Sequence, residues 1–376
     1  MMNRRSLLQH IAIAMAAGAG AGAPSIAFAQ INSPKKLIYI LQRGAADGLD
    51  LVSPIGDADF AALNGRAETD RSNYQHIDAM FSLHPNFVEL GKMMRTGQAN
   101  IVHAIASTYR ERSHFDGQNI LESGGITPYA RKDGFLNRLI PLIDAQSRKS
   151  LALSSSIPLA LRGAAEVGNF APTKLPTAND DLINRLTMLY AQDEMLAPIW
   201  QSAIDTKNLA GDLSAENGRN GEKIGQLAAN LMKGSQAAQL LMIETTGWDT
   251  HAQQFGRLNA QVRGLDAMLG AIKSGLGLDW DNSLVIIATE FGRTAAMNGT
   301  RGTDHGTASV LMMCGGNINS GGKIIADWPG LSQSALYEGR DLRPTMSMEL
   351  EISRALAAHY GLDVARVQRS LYPDMV

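Results

Sequence analysis

The stretch Ser283 to Cys314 reads SLVIIATEFGRTAAMNGTRGTDHGTASVLMMC. Two apolar runs, SLVIIAT and TASVLMMC, enclose a loop of Gly, Asn and Thr that carries Glu290, Arg293, Asp304 and His305. Short runs rich in β-branched residues and bounded by turn residues read as strands buried on both faces, the habit of a sheet covered by helices on either side. The charges between them say that something is held at the strand ends: a metal ion, a substrate anion or a salt-bridged turn.

Working outward, the alternation repeats. KLIYIL (36–41), ANIVHAIA (99–106), SLALSSS (150–156) and AAQLLMIETTG (237–247) read as strands. HPNFVELGKMMRTG (84–97), SHFDGQNILESGG (113–125), GFLNRLIPLID (134–144), HAQQFGRLNAQVRGLDAMLGAIKSGLG (251–277) and MELEISRALAAHYGL (348–362) have helical spacing, with Ser113 as a capping residue and glycines as stops. Strands alternating with helices predict an α/β fold, doubly wound, with a mostly parallel sheet and helices on both faces. A polar helical stretch over about 179–233 reads as an insertion that covers the active edge.

The 376 residues are 45% hydrophobic with a net charge of −2, which supports a large core and gives no basic face for nucleic acid. Cys314 is the only cysteine, so a disulfide scaffold and a cysteine-rich zinc site are both excluded, and a buried strand thiol is expected. Residues 1–29 read as an address. Arg4 and Arg5 precede Leu7, Leu8 and a glycine-rich apolar run that ends in Ala27-Phe28-Ala29, a twin-arginine signal peptide with its cleavage site. The expected mature chain is a single domain over 30–376, periplasmic or secreted, with no stable membrane span after cleavage and the twin-arginine export machinery as a partner.

Open α/β sheets bind ligands beyond the carboxyl ends of their strands. KLIYIL is followed by Asp47 and Asp50, LLMIETTG by Asp249 and His251, and SLVIIAT by Glu290 and Arg293. Asp304 and His305 precede TASVLMMC and reach the same edge if that strand runs antiparallel. Carboxylates and neutral imidazoles gathered this way suit a divalent ion such as Zn²⁺, Mn²⁺ or Ca²⁺. Arg110, Arg112, Ser113, His114 and Asp116 occupy the turn before a short helix, where free N–H groups suit an anion or an activated hydroxyl. The other reading makes Ser113 only the N-cap and leaves the arginines to solvent.

RGAADGLDLVSP, LHPNFVELGKMMRTGQ, RSHFDGQNILESG, GWDTHAQQ, TEFGRT and GTDHGTA, in that order, resemble the DUF1501 family of exported bacterial proteins. That family is in turn similar to the alkaline phosphatase/sulfatase superfamily, which implies a doubly wound core and hydrolysis of phosphate or sulfate esters. The expected metal ligands lie among Asp47, Asp116, Asp249, His251, Glu290, Asp304 and His305. The position that holds Ser or Thr in the superfamily aligns with Ser113 or with Asp116. Glu290 and Phe291 stand where the superfamily has an Asp-His pair. Phe291 cannot ligate, so the residues support one metal on Asp249, His251 and His305, with Asp47 and Glu290 nearby. No Cys or Ser lies in a C/S-x-P-x-R context, against a formylglycine nucleophile. The implied roles are Ser113 as nucleophile and Arg293, with Arg112, as neutraliser of developing charge on an anionic small-molecule or polymer ester. The competing expectation is a non-catalytic exported binding or assembly protein on an inherited hydrolase fold.

Overall fold

The computed structural model describes residues 35–375 apart from 64, 67–70, 144–149, 172–179, 211–219, 234–236, 317 and 319–320. The signal-peptide reading lies outside the described residues, as does part of the 179–233 stretch.

The strands of the main sheet are β1 (Lys36–Gln42), β2 (Ala99–Ala106), β3 (Ser150–Leu153), β4 (Gly168–Phe170), β5 (Leu240–Thr245), β6 (Ser283–Thr289), β7 (Ser309–Cys314), β8 (Lys323–Ile325) and β9 (Met346–Ser347). They are ordered β8-β2-β7-β6-β1-β5-β3-β4, with β9 beside β2. β1 pairs in parallel with β5 and with β6, and β5 pairs in parallel with β3. Among the described strands of this sheet, only β7 runs against its neighbours, antiparallel to both β2 and β6. That reversal is what brings the residues ahead of β7 to the edge where β1, β5 and β6 end.

Alternation along β1 divides the core. Ile38 and Ile40 face one apolar layer with α1 (Val88–Arg95), α6 (Gly221–Leu231) and α7 (Gln254–Leu276). Leu37, Tyr39 and Leu41 face another with α3 (Phe135–Ile143), α8 (Met348–Tyr360) and α9 (Val364–Leu371). All five of these strand residues are fully buried, and each such aliphatic side chain contributes about 1.5–3 kcal/mol. Cys314 is buried in β7, where desolvation pushes its thiol up to about 12. No helix among the described residues is long and apolar enough to cross a membrane.

Two elements depart from the sequence reading. The 179–233 stretch contains α4 (Asp180–Tyr190), α5 (Leu196–Ala210) and α6. α6 is not a cap: Leu227, Ala228, Ala229 and Leu231 lie in the core against α7. A small second sheet, formed by Val52–Ser53, Gln75–His76 and Ser82–Leu83, gives no periodic signal because its strands are two residues long.

His103 lies inside β2, with no exposure, between Phe81 and Trp328 at ring distances of 5.3 and 5.1 Å. Burial pulls its pKa down to about 4, against the smaller opposing effect of the Val52 carbonyl at 2.9 Å. The unfolded chain therefore takes up this proton first. Stability falls as pH drops from about 6.5 to about 4, by on the order of 3 kcal/mol from this group. Urea midpoints at pH 7 and pH 4.5 should diverge in the wild type and converge partly in His103→Gln; equal divergence in both would contradict it.

Candidate metal centre

Three imidazoles and one carboxylate meet at the carboxyl edge of the sheet. Asp249 and His251 follow β5, and His305 precedes β7. The fourth group is His114, the first residue of α2 (His114–Ser123). His251 Nε2 is 2.9 Å and His305 Nε2 3.4 Å from Asp249 Oδ1, while His114 Nε2 is 3.4 Å from Oδ2. The two Nε2 atoms of His251 and His305 are 3.0 Å apart. Ligand atoms of His114, Asp249 and His305 all lie within 4.8 Å of one another.

Each ring is held at its other nitrogen. His114 Nδ1 donates to Glu290 Oε1 at 2.8 Å, His251 Nδ1 to Asp304 Oδ1 at 3.1 Å, and His305 Nδ1 to the Arg112 carbonyl at 3.0 Å. Those bonds select the tautomer whose lone pair sits on Nε2, facing Asp249. A carboxylate or carbonyl behind each ligating imidazole is the usual outer arrangement of metal sites. The His114 Nε2 atom is also buried with no hydrogen-bond partner. Several lone pairs and an anion in mutual contact repel unless a proton or a cation lies among them, so the donor set fits a borderline divalent ion.

The surroundings shift the titration of Asp249, His305 and His114. Desolvation raises the Asp249 carboxyl, but Arg293, with Nη1 2.5 Å from Oδ1, brings it below the usual carboxylate range. Burial lowers His305, and the neighbouring His114 and Arg293 charges act in the same direction. The hydrogen bond to Glu290 raises His114, the mark of an imidazole that attracts positive charge.

The loops that carry the cluster are fastened to each other. Asn298 Nδ2 and Thr300 Oγ1 donate to the His251 carbonyl at 3.0 and 2.7 Å, and Thr303 N donates to the Thr250 carbonyl at 3.1 Å. Gly302 lies so close that a Cβ would stand 2.2 Å from the His251 backbone. Gly44, at φ +114°, would put one 2.7 Å from Asp249 N. A side chain at either position displaces a candidate ligand.

Of the residues expected as ligands, Asp249, His251 and His305 are brought together. Glu290 and Asp304 stand one hydrogen bond behind, holding imidazoles. Asp47 is elsewhere: its Oδ2 takes Arg66 Nη2 at 2.9 Å and Gln254 Nε2 at 2.6 Å, and its Oδ1 caps Leu49 N. A buried guanidinium satisfies that acid in place of a metal. Asp116 faces the Tyr109 hydroxyl at 3.4 Å.

The three residues expected to be catalytic are likewise engaged. Ser113 is the N-cap of α2, its Oγ accepting from Asp116 N at 3.5 Å. Arg112, in left-handed backbone at φ +59°, spans Glu338 and Asp341. Arg293 is buried and fixes Asp249 and Thr303. His114 went unassigned in the sequence because the adjacent Ser113 matched an expected hydroxyl. Its place at the first helical position, beside the strand-end edge, was the available signal. Phe291, one residue past Glu290, stacks on the His114 ring at 5.0 Å.

The architecture is a doubly wound, mostly parallel sheet with a polar cluster at its carboxyl edge. The chain belongs to the family described as protein of unknown function (DUF1501), whose model matches residues 34–370. Similar solved structures include Ps i-CgsB in complex with k-i-k-neocarrahexaose, 12% identical with a TM-score of 0.41, covering 91% of this chain and 76% of that one. An alkaline phosphatase superfamily protein from Vibrio parahaemolyticus is 12% identical with a TM-score of 0.40, covering 78% and 62%. The alkaline phosphatase of the Antarctic bacterium TAB5 is 12% identical with a TM-score of 0.36, covering 78% and 95%. No curated protein matches the chain.

Proposed function

We propose that the chain is an exported, metal-dependent hydrolase of phosphate or sulfate esters. The observation that supports this most is the convergence of three Nε2 atoms on Asp249, each ring tied at Nδ1 to an acceptor. A divalent cation held there supplies Lewis acidity toward an ester oxygen. The protein's own groups do the rest. Arg293 keeps Asp249 ionised and fixed, Glu290 and Asp304 hold their imidazoles in the ligating tautomer, and Phe291 covers the face of His114. The first-turn N–H groups of α2, at the positive end of its dipole, receive the anionic ester group. Ser113, immediately ahead of His114, is the nucleophile in this reading, with direct attack by water as the other route. Arg4 and Arg5 assign export to the twin-arginine route, and the product is released outside the cytoplasm.

A panel of p-nitrophenyl phosphate and sulfate esters tests the reading. Turnover should vanish with chelator and return with Zn²⁺ or Mn²⁺, and Ser113→Ala should reduce kcat roughly a hundredfold or more if the serine attacks. Full turnover after exhaustive chelation contradicts it. A metal-bound protein that turns over no ester would favour the second reading, an exported binding or assembly protein. The engagement of Arg112, Arg293 and Ser113 in structural bonds is the observation on that side.

A further inference from the structure

Behind His114 the same helix borders a second polar space. A cleft of about 580 Å³ is lined by Phe115, Gln118 and Asn119 of α2, by Arg43 after β1, and by the segments around Tyr129 and Arg162. Its volume is in the range of about 300–1,000 Å³ typical of small-molecule sites. It shares a wall with the metal cluster. Gln118 donates to Glu290 Oε1 at 3.0 Å and accepts from Arg43 Nη1 at 2.6 Å, and Glu290 holds His114. His114 and Gln118 are about one helical turn apart, roughly 6 Å along the axis.

The cations in this cleft divide into two kinds. Arg43 is bound to Glu122 and Glu244, the two carboxylates of the lining, and Arg131 is bound through two nitrogens to Asp374 at 2.7 Å. Lys132 and Arg162 are exposed and form no ion pair among the described residues. Two aromatic rings face the same space, Phe115 at 80% and Tyr129 at 51% exposure. Tyr129 adopts φ +62°, unusual for a bulky residue, and is held there by its N–H bond to Asn119 Oδ1 at 2.7 Å. Exposed aromatic faces, amide groups and cations without an ion pair among the described residues, in a small polar cleft, are complementary to a hydroxyl-rich ring that bears acidic groups.

We infer that this cleft is a binding subsite for a sulfated or phosphorylated saccharide, set beside the candidate cation site behind the wall of Gln118 and Glu290. The inference rests on the hydrolase reading for its function but not for its binding. Pyranose C–H faces pack on Phe115 and Tyr129, and the acidic groups of the saccharide pair with Lys132 and Arg162. The chain's net charge of −2 gives no support to nucleic-acid binding.

Binding is measured by calorimetry with dextran sulfate, dextran phosphate and uncharged dextran, using the full chain with and without chelator. A charged dextran should bind at least about tenfold more tightly than dextran, the equivalent of one charge-assisted hydrogen bond. The preference should disappear in Lys132→Ala/Arg162→Ala and return in Lys132→Arg/Arg162→Lys. Whichever charged dextran binds more tightly identifies the anion. Both substituted residues are exposed, and circular dichroism checks that the variants are folded. Binding that survives chelation while no ester is turned over supports the cleft and counts against the hydrolase reading alone. Undiminished binding in the alanine variant, or equal binding of single-stranded DNA at matched charge, overturns the inference.

Discussion

His305→Ala lowers divalent-metal affinity by two to three orders of magnitude and takes ester turnover down with it. Structural zinc sites supply about 10–16 kcal/mol through four ligands, so one ligand carries about 2.5–4 kcal/mol. His305 contributes through Nε2 only, and its Nδ1 is spent on the Arg112 carbonyl, so no second atom of the residue replaces the loss. The ring is partly exposed, 27% at the side chain, and its removal leaves the fold intact.

The groups behind the ligands should rank below it. Asp304→Asn and Glu290→Gln keep a hydrogen bond to His251 and His114 but remove the charge behind each ring, at a cost of about 10–100-fold in affinity. Calorimetric titration of zinc into the three variants gives the ranking. Equal affinities for His305→Ala and Asp304→Asn would place the ion elsewhere.

Arg66→Met destabilises the protein by about 3–5 kcal/mol, because it leaves buried carboxylates without their cation. Arg66 has no exposure, and pairs with Asp47 at 2.9 Å and Asp50 at 2.7 Å. Burial raises the Asp50 carboxyl, but Arg66 and Arg71 outweigh it and hold the group at about 2. A carboxyl whose folded pKa is depressed gives its full stabilisation above the ordinary value near 4, and that contribution is lost as pH falls through about 2. Gln254 ties this network to the loop that carries Asp249 and His251, donating to Asp47 and Asp50 at 2.6 Å and accepting from Thr250 Oγ1 at 2.7 Å. Arg66→Met should therefore also weaken metal binding. Adding Asp47→Asn and Asp50→Asn should restore part of the stability in urea unfolding. A further loss of several kcal/mol on that addition would refute the ion-pair account.

The strands and long helices were legible because each has enough residues to show a period: β6 and β7 as apolar runs, α7 as twenty-three residues of helix. Asp249, His251 and His305 were legible because a strand end is a place that local sequence can mark. Asp47 stands at such an end too, yet its partner Arg66 comes from a loop nineteen residues on, and no local pattern signals that pairing. Whether a strand-end acid serves a metal or an arginine is decided in three dimensions. Ser113 and His114 illustrate the converse. Adjacent in sequence, they differ in placement because the helix begins between them, which leaves the serine at the cap and sends the imidazole to the cluster.

The most direct test is metal content. Mass spectrometric analysis of the full chain, dialysed against Zn²⁺ and then against metal-free buffer, should find about one ion per chain. The double variant His114→Ala/His305→Ala should retain none while its far-ultraviolet circular dichroism matches the wild type. Metal-free wild type after this treatment, or a double variant that keeps the ion, would contradict the shared site.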